Sequence, residues 1–140
     1  MSRIFWDAML LIYLLEGNRD FRPRVEALLA RSRRRNDSLF TSYVALGEVL
    51  AGAAKSPDPR KTRTVQTVLK EMGFSYLPFD SGAVLPFGRL RSQTKVKIAD
   101  AIHLACAASA GIDLFLTGDK ELAKLDVPGI QFIADFTSVF

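Results

Sequence analysis

Four carboxylates in this chain follow or interrupt apolar segments, where acidic residues are uncommon. Together they could hold a hard metal ion. Asp7 and Asp119 follow apolar, strand-like segments, whereas Glu48 and Asp100 lie in helix-like segments rich in small apolar residues. Carboxylate oxygens are the ligands that Mg²⁺ and Mn²⁺ prefer in proteins. The single cysteine and single histidine are too few for a structural zinc or iron–sulfur site.

Glu48 and Asp100 are the two acids predicted on buried helix faces. The neighbours of Glu48 at helical spacing are small or apolar: Val44, Ala45, Ala51 and Gly52. Asp100 belongs to residues 98–108, which are apolar on nearly every side and are therefore expected to be buried. Burying an uncompensated charge is costly, so each acid needs a partner, a metal ion or a wet cleft. The simpler interpretations are a salt bridge from Glu48 to an arginine and, for Asp100, a first-turn acid favoured by the helix dipole.

Asp7 and Asp119 are predicted to lie beyond the ends of two strands. Asp7 directly follows residues 4–6 and interrupts an apolar stretch over residues 4–15, and Asp119 comes two residues after the segment 114–117. Taken singly, Asp7 is explained as a helix cap and Asp119 as a polar turn residue. It is the combination of four such acids that favours a hard-cation site.

The predicted secondary structure alternates between short apolar strands and amphipathic helices. Strands are expected at residues 4–6, 39–41, 75–78, 114–117 and 131–133, and helices at 8–15, 23–32, 43–53, 60–72, 81–92 and 98–110. This order predicts an α/β fold with a mainly parallel central sheet of about five strands flanked by helices. In such sheets ligands bind beyond the carboxyl ends of the strands, where the strand order reverses. Asp7 and Asp119 are expected at that edge.

Composition and length predict one soluble domain over residues 1–140. The chain is 49% hydrophobic and 24% charged, and chains of this size can bury a core without cross-links. Cys106 has no partner for an internal disulfide, which favours a reducing cytoplasm. The apolar run near the N-terminus is shorter than the roughly 20 residues that a membrane span needs, so we interpret it as core and expect no membrane association.

Several other features have ordinary explanations as well as functional ones. His103 lies one turn from Asp100 and is either a satisfied core group or a partner of the acids. The chain has a net charge of +4 and carries a basic cluster of Arg31, Arg33, Arg34 and Arg35. This cluster is either a solvated helix end or a nucleic-acid contact. An apolar stripe, formed by Val65, Val68, Leu69 and Met72 with Val49, Leu50 and Ala53, either packs the domain's own helices or offers a groove to a partner segment.

At this point the chain resembles the PIN-domain nucleases, and especially the VapC-type toxins of bacterial toxin–antitoxin pairs. Four motifs carry the resemblance, in order and over essentially the whole chain. They are Ile4-Phe5-Trp6-Asp7, Thr41-Ser42 with Gly47-Glu48-Val49-Leu50, Ile98-Ala99-Asp100-Ala101-Ile102-His103-Leu104-Ala105, and Leu116-Thr117-Gly118-Asp119. No single motif is strong, but four of them at the family's spacing make a specific signal.

The resemblance implies a three-layer PIN-like fold and a metal-dependent endoribonuclease that hydrolyses RNA phosphodiester bonds. Asp7 and Asp100 would bind Mg²⁺ or Mn²⁺ directly, while Asp119 and Glu48 would bind it directly or through water. Thr117 would orient Asp119. A metal ion in such a site lowers the pKa of a bound water and neutralises charge on the attacked phosphate. The resemblance also implies a small antitoxin protein as a partner and a homodimer as the usual assembly.

One departure from the family pattern keeps other functions open. Relatives usually place a small hydroxyl residue and then Asn after the first acid, where this chain has Ala8 and Met9. A PIN-fold module that binds RNA or a protein with weak or no catalysis is therefore an alternative. An Mg²⁺-dependent phosphatase is another, although it should carry a second Asp at the position of Met9. A phosphoacceptor receiver domain should begin with paired acids, and none occur here.

Overall fold

A five-stranded parallel sheet forms the centre of the computed structural model, which describes residues 1–138. Its strands are β1 (Arg3–Trp6), β2 (Ser38–Ser42), β3 (Ser75–Leu77), β4 (Leu114–Thr117) and β5 (Phe132–Asp135). They lie in the order β3-β2-β1-β4-β5, and each neighbouring pair is parallel. The chain builds outward from β1 first on one side and then on the other, so the strand order reverses between β1 and β4.

Six α-helices connect the strands. They are α1 (Ala8–Glu16), α2 (Arg22–Arg34), α3 (Tyr43–Ala53), α4 (Lys61–Glu71), α5 (Ser81–Gln93) and α6 (Ile98–Ala110). The ends follow local chemistry: the Ser42 hydroxyl accepts a hydrogen bond from the Ala45 N–H, and Gly17 and Gly111 end their helices with φ of 70° and 68°. The predicted α/β order is confirmed, and two short 3₁₀ turns, at Leu122–Lys124 and Phe136–Ser138, were not predicted.

The core lies in two layers, one on each face of the sheet. Trp6 and Leu116 point into one layer, which α1 to α4 cover, while Phe5 and Phe115 point into the other, which α5 and α6 cover. The rings of Phe5 and Phe115 stack with their centroids 4.7 Å apart. Alternating strand residues therefore bury both faces, as a parallel sheet requires, and the three-layer fold expected from the sequence is confirmed.

Four residues of the apolar stripe on α3 and α4 pack within the domain. Val65 and Leu69 of α4 are buried, at 6% and 0% exposed, and pack in the first core layer together with Val49 and Ala53 of α3. These residues already bury one another because α3 and α4 are neighbours on the same sheet face. Of the two interpretations that the sequence left open, packing of the domain's own helices therefore accounts for these four residues.

No helix in the described part of the chain is both long and apolar enough to cross a membrane. The longest helices have 13 residues, and the apolar start of the chain is divided between β1 and α1. That division explains the apolar run near the N-terminus, since Ile4, Phe5, Trp6 and Leu10 all lie in the core.

The turn before β5 depends on a glycine. Gly129 has φ of +99°, and a Cβ on it would come within 2.6 Å of the Ala108 carbonyl oxygen on α6. We expect Gly129→Ala to lower the free energy of unfolding by about 1–3 kcal/mol, from backbone strain and displacement of α6. Gly88→Ala is the matched control, because a Cβ there meets open space within α5 and helix propensity should raise stability by up to about 1 kcal/mol. Urea unfolding measures both, and equal effects would contradict the assignment.

Candidate metal centre

Asp7 is buried where the strand order reverses. Its backbone N–H donates to the Leu116 carbonyl, 3.0 Å away, so the residue is tied to β4 as well as to β1. It stands at the N-cap position of α1, yet its side chain makes no capping hydrogen bond. Its carboxylate instead accepts a hydrogen bond from the Thr117 hydroxyl at 2.8 Å, and the residue is 8% exposed. Helix capping therefore does not explain this carboxylate.

The Thr117 hydroxyl connects two of the acids. It donates to Asp7 and accepts from the backbone N–H of Asp119 at 3.0 Å. The Asp119 side chain is exposed, and one of its oxygens accepts from the Glu121 N–H at 2.8 Å. Thr117 thus acts on the carboxylate of Asp7 and on the backbone of Asp119, and it gives Asp7 a hydroxyl partner that Ala8 does not provide.

Asp100 lies in the first turn of α6, half-buried, facing the other acids. Burial raises the pKa of Asp100, and the negative charges of Asp7, Asp119 and Glu48 raise it further. The pKa of Asp7 is also raised by burial, although its hydrogen bond from Thr117 offsets part of the effect. The four acids predicted from the sequence therefore share one electrostatic site. Each ionised acid in it makes ionisation of Asp100 less favourable.

Glu48 is held by a hydrogen-bonded chain that begins in the core. Its Oε1 lies 2.6 Å from His103 Nε2, and His103 Nδ1 lies 2.8 Å from the Ser42 hydroxyl. The Ser42 oxygen already accepts from the Ala45 N–H, so its own proton is available to Nδ1. That assignment leaves the proton of His103 on Nε2, where it donates to Glu48.

The exposure of Glu48 differs from the sequence expectation. Its side chain is 43% exposed, whereas that of His103 is 1% exposed. The band of small residues around Glu48 does not face the core on all sides, because Val44 is also exposed. The expected burial was wrong, and the charge stays in water while a buried histidine orients it.

Sequence reasoning did not identify Ser42 as a positioning residue, and it left His103 open as either a core group or a partner of the acids. Ser42 was named only as part of the motif Thr41-Ser42, and His103 was placed beside Asp100 because the two are one turn apart on α6. The structure instead pairs His103 with an acid 55 residues away in sequence. A contact between residues so far apart leaves no periodic pattern in the sequence. The sequence therefore did not predict that His103 contacts Glu48 and Ser42.

The basic cluster at the end of α2 lies away from the acids. Arg33, Arg34 and Arg35 are exposed and lead into the start of β2, at the amino edge of the sheet. The acids lie at the carboxyl edge. These arginines are therefore not part of the site.

The acids fit a hard divalent cation in donor type but do not form a closed cage. Within residues 1–138, no three Asp, Glu, His or Cys side chains lie close enough to hold a metal ion by themselves. Mg²⁺ usually keeps several waters and uses one or two carboxylates together with substrate phosphate. An open group of carboxylates at a sheet edge suits that mode, and Asp7 and Asp100 are its most buried members.

Comparisons with known proteins agree on the fold. A family model described as the PIN domain matches residues 4–128. The chain is similar to one in VapBC2 from Rickettsia felis bound to a DNA fragment from their promoter, with a TM-score of 0.73, 16% identity, and 94% of this chain and 97% of that chain covered. A comparison with curated proteins found no match.

Two further solved structures have the same architecture. A toxin–antitoxin complex from Klebsiella pneumoniae matches with a TM-score of 0.68 and 23% identity over 92% of this chain and 95% of that chain. VapC20 from Mycobacterium tuberculosis, a Sarcin-Ricin loop cleaving toxin, matches with a TM-score of 0.68 and 15% identity over 88% and 96%. At these identities the likeness concerns the fold.

The repulsion between the acids predicts a measurable cost to folding. We expect Asp100→Asn to raise the melting temperature in EDTA at neutral pH. Below the ordinary aspartate pKa of 3.8, Asp100 is neutral in the folded and unfolded chain, so the substitution gains nothing. As pH rises, the unfolded chain ionises first and the wild type loses stability until the raised folded pKa is passed.

Thermal unfolding of both proteins from pH 3 to 8 measures this difference. The gain should appear above about pH 4, grow toward neutrality, and shrink when Mg²⁺ is added, because Mg²⁺ stabilises the wild type. Asp20→Asn, a substitution of an exposed acid in a turn, is the control and should show no such profile. A lower melting temperature for Asp100→Asn in EDTA at pH 7 would contradict mutual repulsion.

Proposed function

This chain belongs to the PIN-domain family, and on that premise we propose that it is an Mg²⁺- or Mn²⁺-dependent endoribonuclease, the toxin of a type II toxin–antitoxin pair. The observation that carries the proposal is the convergence of Asp7, Asp100, Asp119 and Glu48 at the point where the strand order reverses. A group of carboxylates at a ligand-binding edge, in which three acids raise the pKa of Asp100, fits a site whose charge a bound cation neutralises.

The side chains divide the work between holding the cation and positioning its ligands. Asp7 and Asp100 would bind the metal directly, and Glu48 and Asp119, which are more exposed, would bind it directly or through water. A bound metal ion supplies charge neutralisation at the attacked phosphate and activation of a water. Thr117 keeps Asp7 oriented and charged, because a hydrogen bond to the ionised form favours ionisation.

His103 keeps Glu48 from sampling other rotamers. The exposed glutamate would otherwise lose side-chain entropy whenever it bound a cation or water, and the 2.6 Å contact with a buried ring removes part of that loss in advance. Such support behind metal ligands is commonly worth about 10–100-fold in metal affinity or activity.

The partner proposal follows from what the similar structures contain. VapBC-5 from Mycobacterium tuberculosis is described as a member of the VapBC family of toxin–antitoxin systems, and the similar structure from Klebsiella pneumoniae is described as a toxin–antitoxin complex. We propose that this chain likewise binds a small antitoxin protein, that it forms a homodimer, and that it acts in the cytoplasm on RNA.

The nuclease test compares volume-conserving substitutions. We expect Asp7→Asn and Asp100→Asn each to lower Mg²⁺-dependent cleavage of single-stranded RNA by about 100-fold or more, roughly 3 kcal/mol of transition-state stabilisation. Asp20→Asn should keep full activity. Gel analysis of end-labelled RNA, with EDTA and Mn²⁺ lanes, measures the loss, and circular dichroism checks the fold.

The outcomes separate the alternatives. Cleavage that resists EDTA, or that survives both substitutions, would refute the metal mechanism. RNA binding without cleavage by the wild type would favour the non-catalytic module that Ala8 keeps open. Hydrolysis of a small phosphomonoester without cleavage of RNA would favour the phosphatase.

The toxin proposal is tested in cells. Expression of this chain alone should stop growth of a bacterial host, and co-expression with the product of an adjacent small gene should restore growth and yield a complex that copurifies. The Asp100→Asn variant is the control and should not stop growth. Unchanged growth with the wild type, or no stable complex, would count against the toxin role while leaving the nuclease reading intact.

A further inference from the structure

A groove of about 360 Å³ opens beside the acids, on the α6 side of the site. Its volume is in the lower part of the roughly 300–1,000 Å³ range typical of ligand pockets. The lining combines acids, lysines and apolar side chains: Thr94, Lys95, Val96, Lys97, Asp100, Asp119, Glu121, Leu122 and Leu125. Two of the proposed metal ligands thus form part of its wall.

The segment before α6 holds two lysines at the rim of this groove. The Arg91 guanidinium donates to the Val96 carbonyl at 2.6 Å, and the Thr94 hydroxyl donates to the Leu90 carbonyl at 2.6 Å. These bonds fix the backbone between α5 and α6, and Val96 packs against the second core layer. The ammonium groups beside Val96 are therefore carried on an anchored segment.

The charges along the groove are unequally compensated. Lys95 and Lys97 are exposed, and neither forms an ion pair in the part of the chain that the structure describes. Glu121 is paired with Lys124 at 3.2 Å, which reduces its repulsion of an anion. The rim is thus cationic, whereas the wall near Asp100 and Asp119 is anionic and calls for a cation.

The floor of the groove is apolar. Leu122 is buried, and Leu125 and Val96 pack beside it in the second core layer. A ligand that suits this lining has a flat or apolar portion for the floor and phosphates for the rim. It also has a phosphate that shares a cation with Asp100 and Asp119. A nucleotide within a polynucleotide has all three features.

We propose that this groove is a nucleotide subsite, which takes the unpaired nucleotide next to the scissile phosphate, with Lys95 and Lys97 on the flanking backbone phosphates. The proposal rests on the proposed nuclease function. It adds where the RNA strand lies on the protein and that the RNA binds in single-stranded form. A paired base stays stacked against its neighbours and its partner strand, so a groove of this size admits it only from a single strand.

The test measures how binding of a short, fluorescein-labelled single-stranded RNA depends on salt. The full chain carries Asp7→Asn and is kept in EDTA, so that cleavage is prevented and the salt dependence reports the lysine contacts without the phosphate contact that a cation would add. For single strands the slope of log affinity against log salt is about −0.7 for each phosphate contact. Lys95→Gln with Lys97→Gln should therefore make the slope less steep by about 1.4 and weaken binding at low salt about 10-fold or more.

The matched control removes the same charge elsewhere. Lys61→Gln with Lys70→Gln, on the exposed side of α4, should change the slope by less than half as much. An equal shift in both double variants, or an unchanged slope in the groove variant, would overturn the subsite.

An abasic strand of equal length tests the apolar floor and should bind several-fold more weakly than the RNA. Equal binding of the two strands would overturn the nucleotide assignment. The same RNA annealed to its complement should respond alike to both variants; a groove-specific response of the duplex would overturn the single-strand assignment.

Failure of this proposal differs from failure of the nuclease function. Mg²⁺-dependent cleavage by the wild type with no groove-specific slope change would leave a nuclease whose strand lies elsewhere. A groove-specific slope change without any cleavage would support the subsite in a protein that binds RNA and does not cut it.

Discussion

The hydrogen bond between Thr117 and Asp7 joins the two strands on which the site depends. Burying a carboxylate costs free energy, and a hydrogen bond to an ionised group recovers more than one between neutral partners. The bond forms only because β1 and β4 are parallel neighbours in register, with Trp6 opposite Leu116. The order of the central strands is thus a condition for the hydrogen bond that offsets part of the rise in the pKa of Asp7, and a slip of one residue would turn Thr117 away from it.

Burial is unequal among the acids, and the inequality separates their tasks. Asp7 is buried and rigidly held, Asp100 is half-buried, and Glu48 and Asp119 are exposed. Exposed carboxylates cost little when no cation is present, whereas the buried one fixes where a cation would lie. The hydrogen bonds from Ser42 through His103 fix the orientation of the Glu48 carboxylate, as burial fixes that of Asp7. Glu48 does not bear the same desolvation cost, because it remains exposed.

The site would meet the proposed RNA substrate with an anionic surface, and the proposed cation and the nearby lysines would reverse that charge. Acids alone would repel RNA, but a divalent cation among them attracts phosphate, and a cationic rim extends that attraction along the strand. The same repulsion predicts a less stable chain without metal. Affinity for the proposed cation and affinity for the proposed strand would therefore be linked through shared groups, notably Asp100 and Asp119 in the groove wall.

Most of the architecture and the four acids could be predicted from the sequence, because they are local signals. Strand and helix order follow from periodicity, and the predicted bounds of the helices agree with the observed ones within two residues. The positions of Asp7 and Asp119 after their strands followed from the rule for parallel sheets.

Only the tertiary structure decided which groups touch, since contacts between distant segments leave no periodic trace in the chain. Glu48 was expected in the core and lies in water, while His103 reaches across to it from α6. The stripe on α4 was as hydrophobic as a partner groove would be, yet α3 covers it. The hydrophobicity of a face determines that it is buried. The packing of the neighbouring helices and strands decides which of them covers it.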